Sequence, residues 1–161
     1  MNYVLAFAGS NSSISINYKL VKYTSSLLSG TEVRLRDMAE YPFPMYSYDV
    51  EKENGYSNSL VEFKNEIINA KGLIIAVSEH NSYPSAYFKN TMDWLSRLDS
   101  KFLVDKKILL MSTSTGGRGA IGALEVVEKM IARFQGTVVE TFSLPRYGDN
   151  FDENTGITNA D

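Results

Sequence analysis

The stretch "YVLAFAGSNSSISIN", residues 3–17, decides the fold. Its first half, Tyr3–Ala8, is a near-continuous apolar run without period-2 alternation. Such a run suits a strand buried on both faces of a parallel sheet. Its second half, Gly9–Asn17, is built from small hydroxyl and amide residues and holds no lysine or arginine. The next segment, "YKLVKYTSSLL", has Leu20, Tyr23, Thr24 and Leu27 at helical spacing. A polar loop therefore joins a buried strand to a helix. A helix N-terminus offers unpaired N–H groups and partial positive charge, and together these hold phosphate. Ser10, Ser12, Ser15 and Asn17 add side-chain donors. The P-loop pattern with its lysine is absent, so the loop reads as a cradle for a retained phosphate, not a site of phosphoryl transfer.

The pattern repeats outward from this unit. "GLIIAV" (Gly72–Val77) and "KILLMS" (Lys107–Ser112) are further buried runs, with weaker strands at Glu32–Arg36 and Thr137–Leu144. Between them lie helical stripes: Leu60, Phe63, Ile67 and Ile68 after a Ser59/Glu62 capping box; Phe88, Met92 and Leu95 after Pro84; Ala120 to Phe134 closed by Gly136. The order β-α-β-α-β-α-β-α-β predicts one α/β domain over residues 1–161, doubly wound with strand order 2-1-3-4-5 and helices on both faces. Ligands of such a fold sit beyond the carboxyl ends of strands 1 and 3. Ala39–Ser59 reads as one long irregular connection.

Three loops share that edge: "GSNSSISIN", "SEHNSYPS" (Ser78–Ser85) and "STSTGGRGA" (Ser112–Ala120). The third contains "GRGAIG" (Gly117–Gly122), a G-x-G-x-x-G spacing with Glu140 downstream. A dinucleotide fingerprint is the competing reading. Its place in the fourth βα unit, and Glu140 inside strand 5, count against it.

Composition narrows the function. The 161 residues carry net charge −3, no cysteine and one histidine, His80. Thiol chemistry and a multi-histidine zinc site are excluded, and no basic stripe for nucleic acid is present. No apolar run reaches the ~20 residues of a membrane span, and the start lacks signal-peptide character, so the expectation is a cytoplasmic protein with no nucleic-acid or membrane partner.

The loops are similar to those of a known family. "GSNSSISIN" resembles the GSxRxxSxN loop of the NADPH-dependent FMN reductases, flavodoxin-like proteins that include quinone, azo-dye and chromate reductases. "SEHNSYPSAYFKNTMDWLSR" (Ser78–Arg97) resembles their PEYN…PxxLKNxIDWLSR segment, and "TSTGGRGA" (Thr113–Ala120) their SPGGxGG loop. The resemblance implies FMN as cofactor, NADPH or NADH as reductant, and a small-molecule electron acceptor. Quinone, azo compound, free flavin and oxidised metal ion are the acceptor classes. It also implies a homodimer or homotetramer. Ser10, Ser15 and Asn17 match phosphate-binding positions. Glu79, His80 and Asn81 match the loop against the isoalloxazine, and Ser114, Gly116 and Gly117 the loop at its other edge. With Ser12, Ile16 and Thr115 these complete the candidate cofactor set. Ser12 replaces the family arginine, His80 a tyrosine, and Ser78 and Thr115 prolines.

No catalytic side chain and no metal is expected, because hydride chemistry belongs to the flavin. His80 reads as a flavin wall or donor, with a bland loop or an acid/base role as alternatives. Phe88 and Trp94 read as packing residues. The cluster Tyr41, Phe43, Tyr46 and Tyr48 reads as an exposed interface, with Tyr46 or Tyr48 near substrate. "DNFDEN" (Asp149–Asn154) reads as a solvated tail. Other classes remain open at this stage: a flavodoxin-type electron carrier and a non-catalytic nucleotide-binding module.

Overall fold

A computed structural model describes residues 2–159. Its central sheet comprises β1 (Tyr3–Gly9), β2 (Glu32–Arg36), β3 (Gly72–Val77), β6 (Lys107–Thr113) and β7 (Thr137–Leu144), in the order β2-β1-β3-β6-β7. All neighbours pair in parallel. This is the expected 2-1-3-4-5 order, with its switch point between β1 and β3.

The apolar runs sort by size across the sheet. Tyr3, Leu5 and Phe7 of β1, with Leu73, Ile75 and Val77 of β3, enter the larger core beneath α3 (Asn58–Asn69), α4 (Ala86–Leu98) and α5 (Ile121–Arg133). There Phe7 meets Phe63 edge to face at 5.1 Å. The opposite face carries Ala6, Ala8 and Ala76, and Leu20 and Val21 of α1 (Ile16–Ser26) pack on it. Small residues on that face let α1 lie close to the sheet.

Several local expectations are corrected. Helix α3 is capped by Ser57, whose hydroxyl accepts from Leu60 N–H at 3.2 Å, and Ser59 falls inside the helix. Pro84 does not open α4. It ends a two-strand ribbon, β4 (Glu79–His80) with β5 (Tyr83–Pro84), and Ser85 caps the helix. Ala120 precedes α5 as a left-handed residue. Gln135, not Gly136, takes the left-handed conformation after α5. Gly136 is needed for space, because a Cβ there would stand 2.9 Å from Ile131 and 3.1 Å from Leu103.

The connection Ala39–Ser59 is not irregular throughout: a 3-10 turn (Met38–Glu40) and α2 (Tyr48–Asn54) occupy much of it. Nor is its aromatic cluster a uniformly exposed patch. Tyr41, Phe43 and Tyr46 pack against the core, while Met45 and Tyr48 stay exposed.

The "DNFDEN" segment is solvated at Asp149, Asp152, Glu153 and Asn154, but it is ordered structure and not a tail. It spans α6 (Tyr147–Asn150) and β8 (Phe151–Asp152), which pairs with β9 (Gly156–Ile157) against the far side of α1. Phe151 stacks on Tyr147 at 4.8 Å and meets Tyr23 edge-on at 5.7 Å. Buried Gly156 sits where a side chain would overlap the Tyr23 ring. The Asp152 carboxylate accepts from Asn154 N–H and Thr155 N–H, both at 2.9 Å, so the turn's own donors engage it and lower its pKa.

Candidate functional site

Loop 1 runs from the end of β1 to the Ser15 cap of α1. Its hydroxyls accept from its own backbone: Ser10 Oγ from Ser12 N–H at 3.3 Å, Ser12 Oγ from Ile14 N–H at 3.4 Å, and Ser15 Oγ from Tyr18 N–H at 3.2 Å. A serine hydroxyl that accepts still has its proton to give. Three O–H donors and the first-turn N–H groups of Ile16 and Asn17 therefore remain for an anion. Asn11 to Ile14 are open to solvent. The loop fits a phosphate group held by neutral donors.

The Asn17 side chain works elsewhere. It is buried, with Nδ2 donating to Thr113 O at 3.1 Å and Oδ1 accepting from Thr113 N–H at 2.9 Å. This pair of bonds fastens α1 to the end of β6. Asn17 thus positions loop 1 from behind, and its backbone N–H is one of the first-turn donors that α1 leaves unpaired.

Gly9 joins loop 1 to loop 2. Its carbonyl accepts from Ser85 Oγ at 2.8 Å and Ser78 Oγ at 3.4 Å. A side chain at Gly9 would overlap the Phe88 ring. In loop 2, Asn81 and Ser82 both have positive φ, at 54° and 67°, and turn the ribbon back in two residues. His80 and Asn81 are exposed at its tip. The Glu79 side chain turns away from the tip: Oε2 accepts from Ala123 N–H at 2.9 Å in the first turn of α5.

That contact settles the "GRGAIG" question. A carboxylate already occupies the α5 N-terminus, where a dinucleotide pyrophosphate would need to sit. The glycines answer to packing. A Cβ at Gly122 would meet Ser82 O and Glu79 Oε2, both at 2.9 Å, and one at Gly119 would press on Pro145 N at 3.0 Å. Gly119 also has φ of +58°.

Loop 3 is braced from the C-terminal side. Ser114 O accepts from Tyr147 N–H at 3.0 Å and Gly116 O from Arg146 N–H at 3.0 Å. Thr115, Gly116 and Gly117 are exposed on the shared edge. The structure thus brings the loop 1 hydroxyls, the His80–Asn81 tip and Ser114–Gly117 to one edge of the sheet, and turns the side chains of Asn17 and Glu79 inward.

A cleft of about 510 Å³ opens between loops 1 and 2. Asn11, His80, Ser85 and Tyr87 line it, and Phe43, Met45 and Asn90 close its far side. Burial pushes the Tyr87 phenol up to about 12, so it stays a neutral hydroxyl, and it donates to Tyr41 O at 2.8 Å. Of these lining residues the sequence reading placed only His80 in the site. The signal for Asn90 lay in the KNTMDWLSR segment, and for Phe43 and Met45 in the proline-bearing connection after β2.

With this geometry in view, the comparisons with known proteins agree. The family model described as NADPH-dependent FMN reductase matches residues 2–149. The chain belongs to the NADPH-dependent FMN reductase family. Among curated relatives, a quinone reductase of Escherichia coli (strain K12) is 29% identical over 122 residues, covering 70% of this chain and 65% of the relative. The matched part thus spans about two thirds of that relative's length. NADH-dependent flavin reductase subunit 2 of Lactobacillus johnsonii is 26% identical, covering 95% of this chain and 84% of the relative. Among solved structures, the flavoenzyme NAD(P)H:(acceptor) oxidoreductase FerB of Paracoccus denitrificans superposes with a TM-score of 0.77 at 23% identity. The match covers 99% of this chain and 87% of that one. An azoreductase of Bacillus anthracis gives 0.66 at 17% identity, covering 92% and 89%. These likenesses place the present family member among flavodoxin-like folds.

Proposed function

We propose that this chain is an FMN-dependent NAD(P)H oxidoreductase that passes electrons to a small acceptor such as a quinone, an azo compound, a free flavin or an oxidised metal ion. The observation that carries the reading is the meeting of three polar loops at the switch-point edge, beside a cleft of about 510 Å³. FMN, when bound, supplies the hydride-accepting and electron-donating chemistry. The chain supplies position. Ser10, Ser12, Ser15 and the N–H groups of Ile16 and Asn17 would hold the phosphate. His80, Asn81 and the exposed part of Ser114–Gly117 would flank the ring. The cleft lined by Phe43, Met45 and His80 is the place for the nicotinamide and for the acceptor.

Family membership and the names of the relatives support FMN and a nicotinamide reductant. A homodimer or homotetramer in the cytoplasm is part of the same proposal and rests on the resemblance. The direct test is an FMN titration of the purified chain, followed by NADH or NADPH without oxygen. Bleaching of the flavin absorbance near 1:1 stoichiometry is expected. Protein that stays colourless after FMN is added refutes the reading.

A further inference from the structure

The segment Tyr41–Tyr46, which walls the cleft, has almost no structure of its own. Within it one local bond is made, Phe43 N–H to Tyr41 O at 2.8 Å. Tyr41 N–H donates to Met38 O at 3.2 Å in the preceding turn and Tyr46 Oη reaches α2, while the other bonds run to α4. Tyr87 Oη donates to Tyr41 O at 2.8 Å, Asn90 Nδ2 to Pro44 O at 3.0 Å, and Trp94 Nε1 to Pro44 O at 2.8 Å. Asn90 Oδ1 accepts from Tyr46 N–H at 2.7 Å. One turn further, the Arg97 guanidinium takes Glu51 of α2 in a two-pronged grip at 2.8 and 3.1 Å, and Glu51 accepts from Tyr46 Oη at 2.8 Å. Tyr87, Asn90, Trp94 and Arg97 fall at i, i+3, i+7 and i+10, one stripe of one helix.

The segment is held between two spaces. On its outer side Phe43 and Met45 face the 510 Å³ cleft, and Met45 is 69% exposed. Behind it lies a second cavity of about 360 Å³, bounded by Phe43, Pro44, Val50, Leu60 and Trp94. Tyr41 and Tyr46 pack partly against the core, Tyr46 edge-on to Trp94 at 5.1 Å, but the space behind Phe43 and Pro44 leaves that packing incomplete. The hydrogen bonds complete the hold.

We propose that the α4 stripe Tyr87, Asn90, Trp94 and Arg97 governs acceptor selection by holding Phe43 and Met45 at the mouth of the cleft. This rests on the reductase reading. Trp94 and Arg97 are positioning residues that act through the strap, while Tyr87 and Asn90 hold the strap and also line the cleft. A released strap retreats into the second cavity, and the aromatic and thioether surface that a flat acceptor would lie against is lost from the cleft.

The test compares Trp94→Phe and Arg97→Met, whose side chains lie outside the cleft lining, with the parent chain, all FMN-loaded. Menadione serves as the flat acceptor, and ferricyanide as an acceptor that accepts electrons without entering a cleft. The kcat/KM ratio of menadione to ferricyanide is expected to fall roughly tenfold, through a raised menadione KM with kcat held within about twofold. Equilibrium binding of menadione to the oxidised protein is expected to weaken by a similar factor. Trp94 is the only tryptophan, so in Arg97→Met its emission reports release of the strap by a red shift. Should Trp94→Phe not fold, Arg97→Met, which replaces a half-exposed side chain, carries the same comparison. Unchanged menadione affinity and ratio in variants that fold overturn the proposal. If NADH and NADPH both fail to bleach the parent flavin, the reductase reading is lost, and the menadione affinities still decide whether the strap forms an acceptor wall.

Discussion

Ser12 is exposed at the mouth of loop 1, at the position where the family pattern carries an arginine, and its hydroxyl accepts from Ile14 N–H. Replacing it with arginine adds one charge-assisted contact to a phosphate, worth about 1.5–3 kcal/mol. Ser12→Arg is expected to tighten FMN binding at least tenfold and to make it more sensitive to salt. A fluorescence titration at low and high ionic strength checks both, and unchanged affinity argues against phosphate binding in this loop. Ser15 and Asn17 separate two kinds of contribution. Ser15→Ala removes a helix cap and one hydroxyl donor, so stability is expected to fall by about 1 kcal/mol and FMN affinity to fall with it. Asn17→Ala leaves the buried N–H and C=O of Thr113 without partners, at a cost of about 2–3 kcal/mol. Its midpoint in thermal unfolding is expected to drop by roughly 5–10 °C. A drop no larger than that of Ser15→Ala means that the Asn17 bonds matter less than the geometry indicates. The sequence shows that Asn17 belongs to loop 1. It cannot show that its amide faces β6, because that follows from the β1–β3–β6 stacking order.

Among the elements, the strap and α2 depend most on a single charge. Glu51 is held from an ordinary 4.5 down to about 2, first by the Arg97 guanidinium and then by the Tyr46 hydroxyl. A carboxylate whose pKa is lowered by folding stabilises the fold above its unfolded value. That contribution fades as pH falls from about 4.5 toward 2. The strap is therefore expected to loosen in this window ahead of the sheet. The Trp94 emission should shift to the red before far-UV circular dichroism changes, and Arg97→Met should move the emission change to higher pH. Coincident transitions in the two signals contradict a separately held strap. The same region shows where pattern reading stops. The three central strands and the helices around them follow from apolar runs and helical spacing, since burial on both faces leaves a strong signal, while the edge strands β2 and β7 are largely exposed and leave a weaker one. The β4–β5 ribbon leaves none, being two residues per strand with an Asn81-Ser82 turn. Helix α2 is short and without buried residues, so it too has no apolar stripe to find. Its capping serine and its bond to Arg97 become meaningful only once α4 lies beside it.

At the scale of the whole molecule, the decisive feature is the cleft that the loops leave between them. Loop 1, the β4–β5 ribbon and the strap bound a 510 Å³ space at the carboxyl ends of β1 and β3. The cavity on the ribbon's other side, about 480 Å³, shares His80 with that cleft and runs along Tyr83, Pro84, Val126 and Met130 toward α5. A nicotinamide and an acceptor both need contact with the same reactive ring, at about 3–3.5 Å for hydride transfer. Sharing the cleft, they must take turns. The steady state is therefore expected to be ping-pong, with parallel double-reciprocal lines when NAD(P)H and menadione are varied together, and with each inhibiting competitively at high concentration. No titrating side chain is required for the first half, so His80→Gln is expected to keep most of the rate of flavin reduction. Anaerobic stopped-flow mixing with NADH and with NADPH measures that half alone. A flavin that neither coenzyme reduces within minutes replaces the reductase with an electron carrier of the flavodoxin type, for which a net charge of only −3 is modest as a docking field. Fast reduction with intersecting lines has a different meaning: coenzyme and acceptor then bind together, and the space behind the strap becomes the place to look for the second of them.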